Sequence, residues 1–257
     1  MIAIIDLDST IIDTIYDIEF EETEFRKKIP KMGRIEPIEF VSIRPYAEDL
    51  LRFCNDNFDQ TILCTFSRWS RAITILELFD IRKYFSKVIP FEMLNGDETL
   101  DLNHDFVLID DSPYTISYTK RKLEYFGIDI SEGNIKKIDR CFINVSSYDC
   151  SNDEERKDRE MIMTIQKIEE AQSAVEKRRN EIFKKIKSMI EEIIDEDVKV
   201  YRSSNFYIDL AFDKCQFGDL FLSIEEHFNI LIPDDLNRSI ETVDELVAFV
   251  DLQLIST

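Results

Sequence analysis

Positive charge is in short supply here. The 257 residues hold 53 acidic side chains against 32 lysines and arginines, a formal net charge of −21. Nucleic acids and anionic membranes are gripped through a positive face, so this balance argues against both as general partners, a local basic strip excepted. No apolar run approaches membrane-spanning length. The N-terminus enters an apolar strand without a basic segment before it, so no signal peptide is expected. The five cysteines (Cys54, Cys64, Cys141, Cys150 and Cys215) are scattered, odd in number and never in C-x-x-C spacing. That excludes a disulfide framework or a zinc site and fits reduced, cytoplasmic thiols. There are two histidines, His104 and His227, and neither has partners at metal-ligand spacing. The apolar content suffices for real cores, in one large domain or two smaller ones.

What is present begins at the first residues. Ile2 to Ile5 reads as a short buried strand of a parallel sheet. Asp6-Leu7-Asp8-Ser9-Thr10 follows where that strand should end, the edge at which open α/β sheets bind ligands. Two like charges there need hydrogen bonds or a cation, and Mg²⁺, with its preference for carboxylate oxygens, would serve. Alone, a D-x-D is more simply an Asp-rich turn. It is not alone: Thr65 follows the apolar stretch Thr61-Ile62-Leu63-Cys64, and Asp110-Asp111-Ser112-Pro113 follows Phe106-Val107-Leu108-Ile109.

Three strand ends carrying an acid pair, a hydroxyl and a second acid pair resemble the haloacid dehalogenase superfamily. The match is to its small C-terminal-domain phosphatase branch, whose motifs occur in order as Asp6/Asp8/Thr10, Arg44-Pro45 with Leu50, Thr65/Ser67, and Asp110/Ser112/Pro113. The resemblance implies an α/β fold with a Rossmann-like parallel sheet and a small flap near Ile35–Ile43, leaving an open crevice. It implies a phosphatase using an aspartyl-phosphate, with Asp6 as nucleophile and Asp8 as proton donor and then base. Mg²⁺ would be held by Asp6, the backbone carbonyl of Asp8, and Asp110, with Asp111 supporting it through waters. Thr65 and Ser67 would bind phosphate, and Thr10 would shape the turn. One part is absent: the superfamily's lysine before the last acidic motif. Residues 95 to 105 contain none. Lys87 upstream and Arg68 after the threonine are the substitutes available. A missing cation there costs several kcal/mol of transition-state stabilisation, on the order seen for lost oxyanion donors. Trp69 could line a substrate wall, although a lone aromatic at a helix start more often belongs to a core.

Between the motifs, helices are expected over Tyr46–Asn55, Ile73–Phe79 and Tyr118–Phe126, with a last strand at Cys141–Val145. Strands alternating with helices indicate a parallel α/β sheet. Composition changes at Ser151, which gives domain bounds of 1–150, 151–180 and 181–257. From Asp153 to Asn180 the chain is dense in charge and lacks Pro and Gly. Met161, Ile165, Ile168, Ala171 and Val175 form a narrow apolar stripe on an expected long helix, which either links the domains or pairs with a partner.

The last segment reads as a small all-α module, with helices over Ile182–Ile193, Asp219–Phe228 and Val243–Leu252. It resembles an acyl carrier protein: Asp209-Leu210-Ala211-Phe212-Asp213 is similar to that family's D-L-G-A-D, Ile224–Phe228 to its L-E-E-E-F, and Ile232-Pro233-Asp234 to its I-P-D. In this register Lys214 stands where the phosphopantetheine-bearing serine belongs, and an ammonium cannot form that phosphodiester. The module is therefore expected to dock a protein partner or assemble the chain. The function expected for the whole is a Mg²⁺-dependent phosphatase acting on a phosphorylated small molecule or phosphoprotein. Two alternatives stand beside it: a binding scaffold of weak catalytic power, and a transferase acting on a separate carrier protein.

Overall fold

The computed structural model describes residues 1–16, 22–29, 39–90, 106–111, 142–148, 158–194, 198–233, 236 and 240–256. They fall into two compact units, Met1–Glu169 and Glu170–Thr257. In the first, the strands are β1 (Ile2–Ile5), β2 (Ile12–Tyr16), β3 (Arg26–Lys28), β4 (Glu39–Ile43), β5 (Gln60–Cys64), β6 (Lys87–Ile89), β7 (Phe106–Asp110) and β8 (Phe142–Asn144). The helices are α1 (Ala47–Asn57) and α2 (Trp69–Leu78), with a 3₁₀ turn at Arg82–Tyr84. The expected helix over residues 118–126, His104, Cys141, Cys150 and the segment 95–105 lie outside the described residues.

Five strands form a sheet in the order β6-β5-β1-β7-β8, each neighbouring pair parallel. This is the expected Rossmann-like arrangement, with β1 central. Ala3, Ile4 and Ile5 of β1 are buried, as helices covering a parallel sheet require, and such strands read as continuous apolar runs. Ala3, Ile5, Leu63, Val107 and Ile109 belong to one core with Leu50, Leu51, Ile75 and Leu76 from α1 and α2. Each Leu, Ile or Val among them, fully buried, contributes about 1.5–3 kcal/mol relative to exposure. On α1 the buried residues are Ala47, Leu50, Leu51 and Cys54, one helical face at three- and four-residue spacing. Burial pushes the Cys54 thiol up to about 12, so it behaves as a small apolar group.

The remaining strands make a separate antiparallel sheet, β2-β4-β3. β4 falls within the alternating stretch expected to form a flap. β2 and β3 have no clear expectation behind them, since Ile12-Asp13-Thr14 and the basic triplet Arg26–Lys28 carry little apolar alternation. Their pairing with β4 supplies what propensity does not.

A single helix, α3 (Glu160–Ile194), contributes to both units. The stretch expected as a link and the first helix of the last module are thus continuous. No Pro or Gly interrupts residues 153–194, and such a run has no reason to break. Met161 and Ile168 are buried in the first core, and Ile182, Ile186 and Ile190 in the second.

The second unit adds α4 (Lys214–Phe228) and α5 (Val243–Ser256). Phe206, Phe212 and Phe217 meet at its centre with ring centroids 5.0–5.3 Å apart. Asp251, buried on α5, accepts hydrogen bonds from Arg178 and Arg179 of α3. α4 begins five residues before the expected Asp219. Asp213 and Gln216 form a capping box that sets the start: the Asp213 carboxylate accepts from the Gln216 N–H (2.9 Å), and the Gln216 side chain accepts from the Asp213 N–H (2.9 Å). Among the described residues, no helix is long and apolar enough to cross a membrane.

Candidate active site

The register of the main sheet assembles the acids. Ile5 lies opposite Ile109, and the Asp6 N–H donates to the Ile109 carbonyl (3.0 Å). One residue further, Asp6 stands beside Asp110, the last residue of β7. Asp6 and Asp110 are 7 % and 3 % exposed. Each offers a carboxylate oxygen that, with one from Asp111, lies in a group whose members are all within 4.8 Å. Burial, then the neighbouring Asp110 charge, hold the Asp111 carboxyl above the usual carboxylate range, against the hydrogen bonds from Ser147 and Thr10. Three carboxylates so placed repel one another, and a hard divalent cation with oxygen preference is what the donor set fits.

Thr10 braces this group. Its hydroxyl accepts the Asp111 N–H (2.9 Å) and donates to the Asp111 carboxylate (3.3 Å), tying the first motif to the last. The turn between Asp8 and Thr10 passes through Ser9 with φ at 60°, left-handed backbone that a serine adopts at some cost. The Ser9 carbonyl accepts the Tyr148 N–H (2.7 Å).

Asp8 is turned elsewhere. Its carboxylate accepts from the Ser67 hydroxyl (2.7 Å), the Thr65 hydroxyl (3.4 Å) and Arg71 (2.8 Å). Thr65, fully buried after β5, also accepts the Ser67 N–H (3.0 Å). The structure therefore brings Asp6, Asp110 and Asp111 into one group and Asp8, Thr65 and Ser67 into another, joined through Leu7, the one residue between Asp6 and Asp8. Arg68 is exposed and precedes α2. Lys87 opens β6 opposite Ile62, two residues before Ile89, whose carbonyl accepts the Thr65 N–H. Trp69, whose place favoured a core, is instead 41 % exposed, the first residue of α2, with exposed Arg68 and Ser70 on either side of it.

Two arginines exceed what the motifs announce. Arg44 is 2 % exposed and donates to the Thr10 carbonyl (3.1 Å), to the Ser146 carbonyl (2.8 Å) and hydroxyl (3.0 Å), and to Asp158 (2.7 Å). Asp158 in turn accepts the Glu160 N–H at the start of α3. Arg44 also stands 5.2 Å from the Tyr148 ring centroid. The arginine of the Arg-Pro motif is thus a buried clamp on the turn that carries Asp8 and Thr10. Arg71, absent from the expected set, is the cation bonded to Asp8. Burial opposes its charge, but the carboxylates of Asp8 and Glu39 outweigh that and raise its pKa above the ordinary guanidinium value. Its one sequence signal is the spacing from Ser67: four residues at a helix start bring two side chains together.

The acyl carrier protein of Picosynechococcus sp. is 44 % identical over 68 residues, 26 % of this chain and 84 % of that protein. That of Guillardia theta is 38 % identical over 71 residues, 27 % of this chain and 88 % of its own. These relatives match the C-terminal region. Among solved structures, that of Fcp1, described as an essential RNA polymerase II CTD phosphatase, covers 95 % of this chain and 68 % of its own. It has a TM-score of 0.39 and 14 % identity. The fission yeast Fcp1 variant bound to beryllium fluoride gives a TM-score of 0.40 and 15 % identity, covering 95 % of this chain and 69 % of its own. The model of the NLI interacting factor-like phosphatases matches residues 1–179. The chain belongs to that phosphatase family, and carries an acyl carrier protein homologue in its C-terminal region.

Proposed function

We propose that this protein is a Mg²⁺-dependent phosphomonoesterase that forms an aspartyl-phosphate on Asp6. The observation that carries the reading is the convergence of Asp6, Asp110 and Asp111 at the ends of β1 and β7, beside an Asp8 held by Thr65 and Ser67. Asp6, the Asp8 carbonyl and Asp110 would hold Mg²⁺, with Asp111 supporting it through waters, and the ion's charge would offset the repulsion between phosphate and nucleophile. An Asp6 carboxylate oxygen attacks phosphorus while the bond to the leaving oxygen breaks, and Asp8 gives that oxygen its proton. Asp8 then takes a proton from water as the water attacks the aspartyl-phosphate. The bond between phosphorus and Asp6 breaks, inorganic phosphate leaves, and both acids return to their starting state. When substrate enters, the Thr65 and Ser67 hydroxyls, which donate to Asp8 in the free chain, turn to the phosphate oxygens as donors, with Arg68 and Lys87 as the basic side chains available to substrate. The substrate class is a phosphate monoester on a small molecule or a protein.

The carrier-like unit, beginning within the helix that separates residues 1–150 from 181–257, is a docking or assembly module. Lys214, exposed in the first turn of α4, supports this, since it occupies the place of the serine that carries phosphopantetheine. A cytoplasmic setting follows from the cysteine usage.

The test is hydrolysis of p-nitrophenyl phosphate by the full chain with Mg²⁺, with EDTA, and in Asp6→Asn. Turnover that requires the metal and falls to background in the variant is the expected result. A chain without metal-dependent turnover favours the binding scaffold, the reading supported by the absence of lysine from residues 95–105.

A further inference from the structure

One guanidinium joins three separate pieces of the first unit. Arg71 lies in the first turns of α2. Its Nη1 donates to Asp8 Oδ1 (2.8 Å) and to the Ser67 hydroxyl. Its Nε donates to Glu39 Oε1 (2.6 Å), where β4 begins, and its Nη2 to the Thr14 hydroxyl (2.7 Å) on β2. The motif turn, the start of α2 and the antiparallel sheet therefore meet at one side chain, which is four-fifths buried.

Asp8 follows a strand on a turn, and nothing in the turn itself orients its carboxylate. The two hydroxyls meet only Oδ2, so rotation about that contact is left to the group on Oδ1. That group is Arg71. Its other two nitrogens are anchored on β2 and β4, so the guanidinium cannot turn without breaking bonds to both strands. A planar fork with donors on three nitrogens can do this, whereas the single ammonium of lysine cannot reach three separated acceptors. Reaction rate is steep in such placement: an error of about 1 Å in a reacting group can cost about 100-fold.

We propose that Arg71 is the positioning residue of this active site, holding the Asp8 carboxylate at the leaving-group side while fastening the β2–β4 sheet to the site through Thr14 and Glu39. The assignment rests on the phosphatase reading above. It gives the site a fixed cation beside the motif acids, supplied by a helix that follows the threonine motif.

The experiment compares the full-length wild type, Arg71→Lys, Arg71→Ala and Glu39→Gln with Mg²⁺, on p-nitrophenyl phosphate and on phenyl phosphate, whose leaving group is poorer. Circular dichroism and thermal melting accompany the kinetics. Arg71→Lys is expected to lower kcat by about 100-fold with KM changed less than about threefold. Because Asp8 protonates the leaving oxygen, the loss is larger on phenyl phosphate than on p-nitrophenyl phosphate. Glu39→Gln keeps an acceptor for Nε and is expected to lose less than about tenfold. Added guanidinium, at concentrations that leave the melting curve unchanged, is expected to restore part of the kcat of Arg71→Ala. An Arg71→Lys protein with wild-type kcat overturns the assignment. So does a loss equal on both substrates in Arg71→Lys and Glu39→Gln together with lowered melting, which is the mark of a purely structural residue. A wild type inactive on both substrates overturns the phosphatase reading itself, and this assignment with it.

Discussion

At Ala211 a side chain occupies backbone that suits glycine. Its φ is 50°, in the left-handed region, where a Cβ meets the following carbonyl at a cost of about 1–2 kcal/mol. The carrier proteins that this region resembles have glycine at that place in D-L-G-A-D. Ala211→Gly is therefore expected to stabilise the second unit by about 1 kcal/mol, some strain relief being offset by the freedom glycine adds to the unfolded chain. In urea its transition should move up by about 0.5 M; a midpoint that falls would show that the surrounding loop has adapted to alanine. The acids of the site are open to reading at this scale, because Asp6, Asp8, Asp110 and Asp111 each stand next to an apolar run of strand character. Arg71 is not. It is one of 32 basic residues, and only the phase of α2, which turns it toward Ser67, distinguishes it from a solvated charge.

Among the elements, α4 shows how a helix start is decided locally. Asp213 and Gln216 satisfy each other's backbone N–H groups before the first turn closes. Asp213→Ala removes one half of that exchange and is expected to cost about 1 kcal/mol. Amide exchange in the first turn of α4 should quicken about fivefold, the ratio such an energy gives. Unchanged exchange there would mean that packing of Phe217 and Leu220, and not the cap, sets the helix start. The D-x-x-Q spacing is a local signal, carried by residues three apart ahead of an apolar run at helical spacing. β2 and β3 have no such signal. Three to five residues with charged or polar alternates say little by themselves, and what makes them strands is the ladder to β4.

At the scale of the whole molecule, a phosphatase family member and a carrier homologue share one chain through a helix of 35 residues. The carrier half is expected to stay unmodified. Incubated with coenzyme A and a phosphopantetheinyl transferase, the full chain should show no mass increase, because Lys214 has no hydroxyl to accept the group. Lys214→Ser, assayed beside it, tests whether the rest of the docking surface survives. A mass increase in the native chain, on Ser203, Ser204 or elsewhere, would remove the argument for a docking module.

What the sequence determined by itself were the features that local chemistry dictates: short apolar strands with acids and hydroxyls at their ends, an uninterrupted charged helix, an apolar helical module, and the lysine in place of a serine. These depend on periodicity, on Pro and Gly, and on the reactivity of single side chains. Only the tertiary structure decided that the carboxylates divide into a group of three and a separately bonded Asp8, that Arg44 is buried as a clamp, and that Arg71 reaches Asp8, Glu39 and Thr14 at once. Those facts depend on the β1–β7 register, on the antiparallel sheet and on the phase of α2, which bring together residues up to about a hundred positions apart and leave no trace in local spacing.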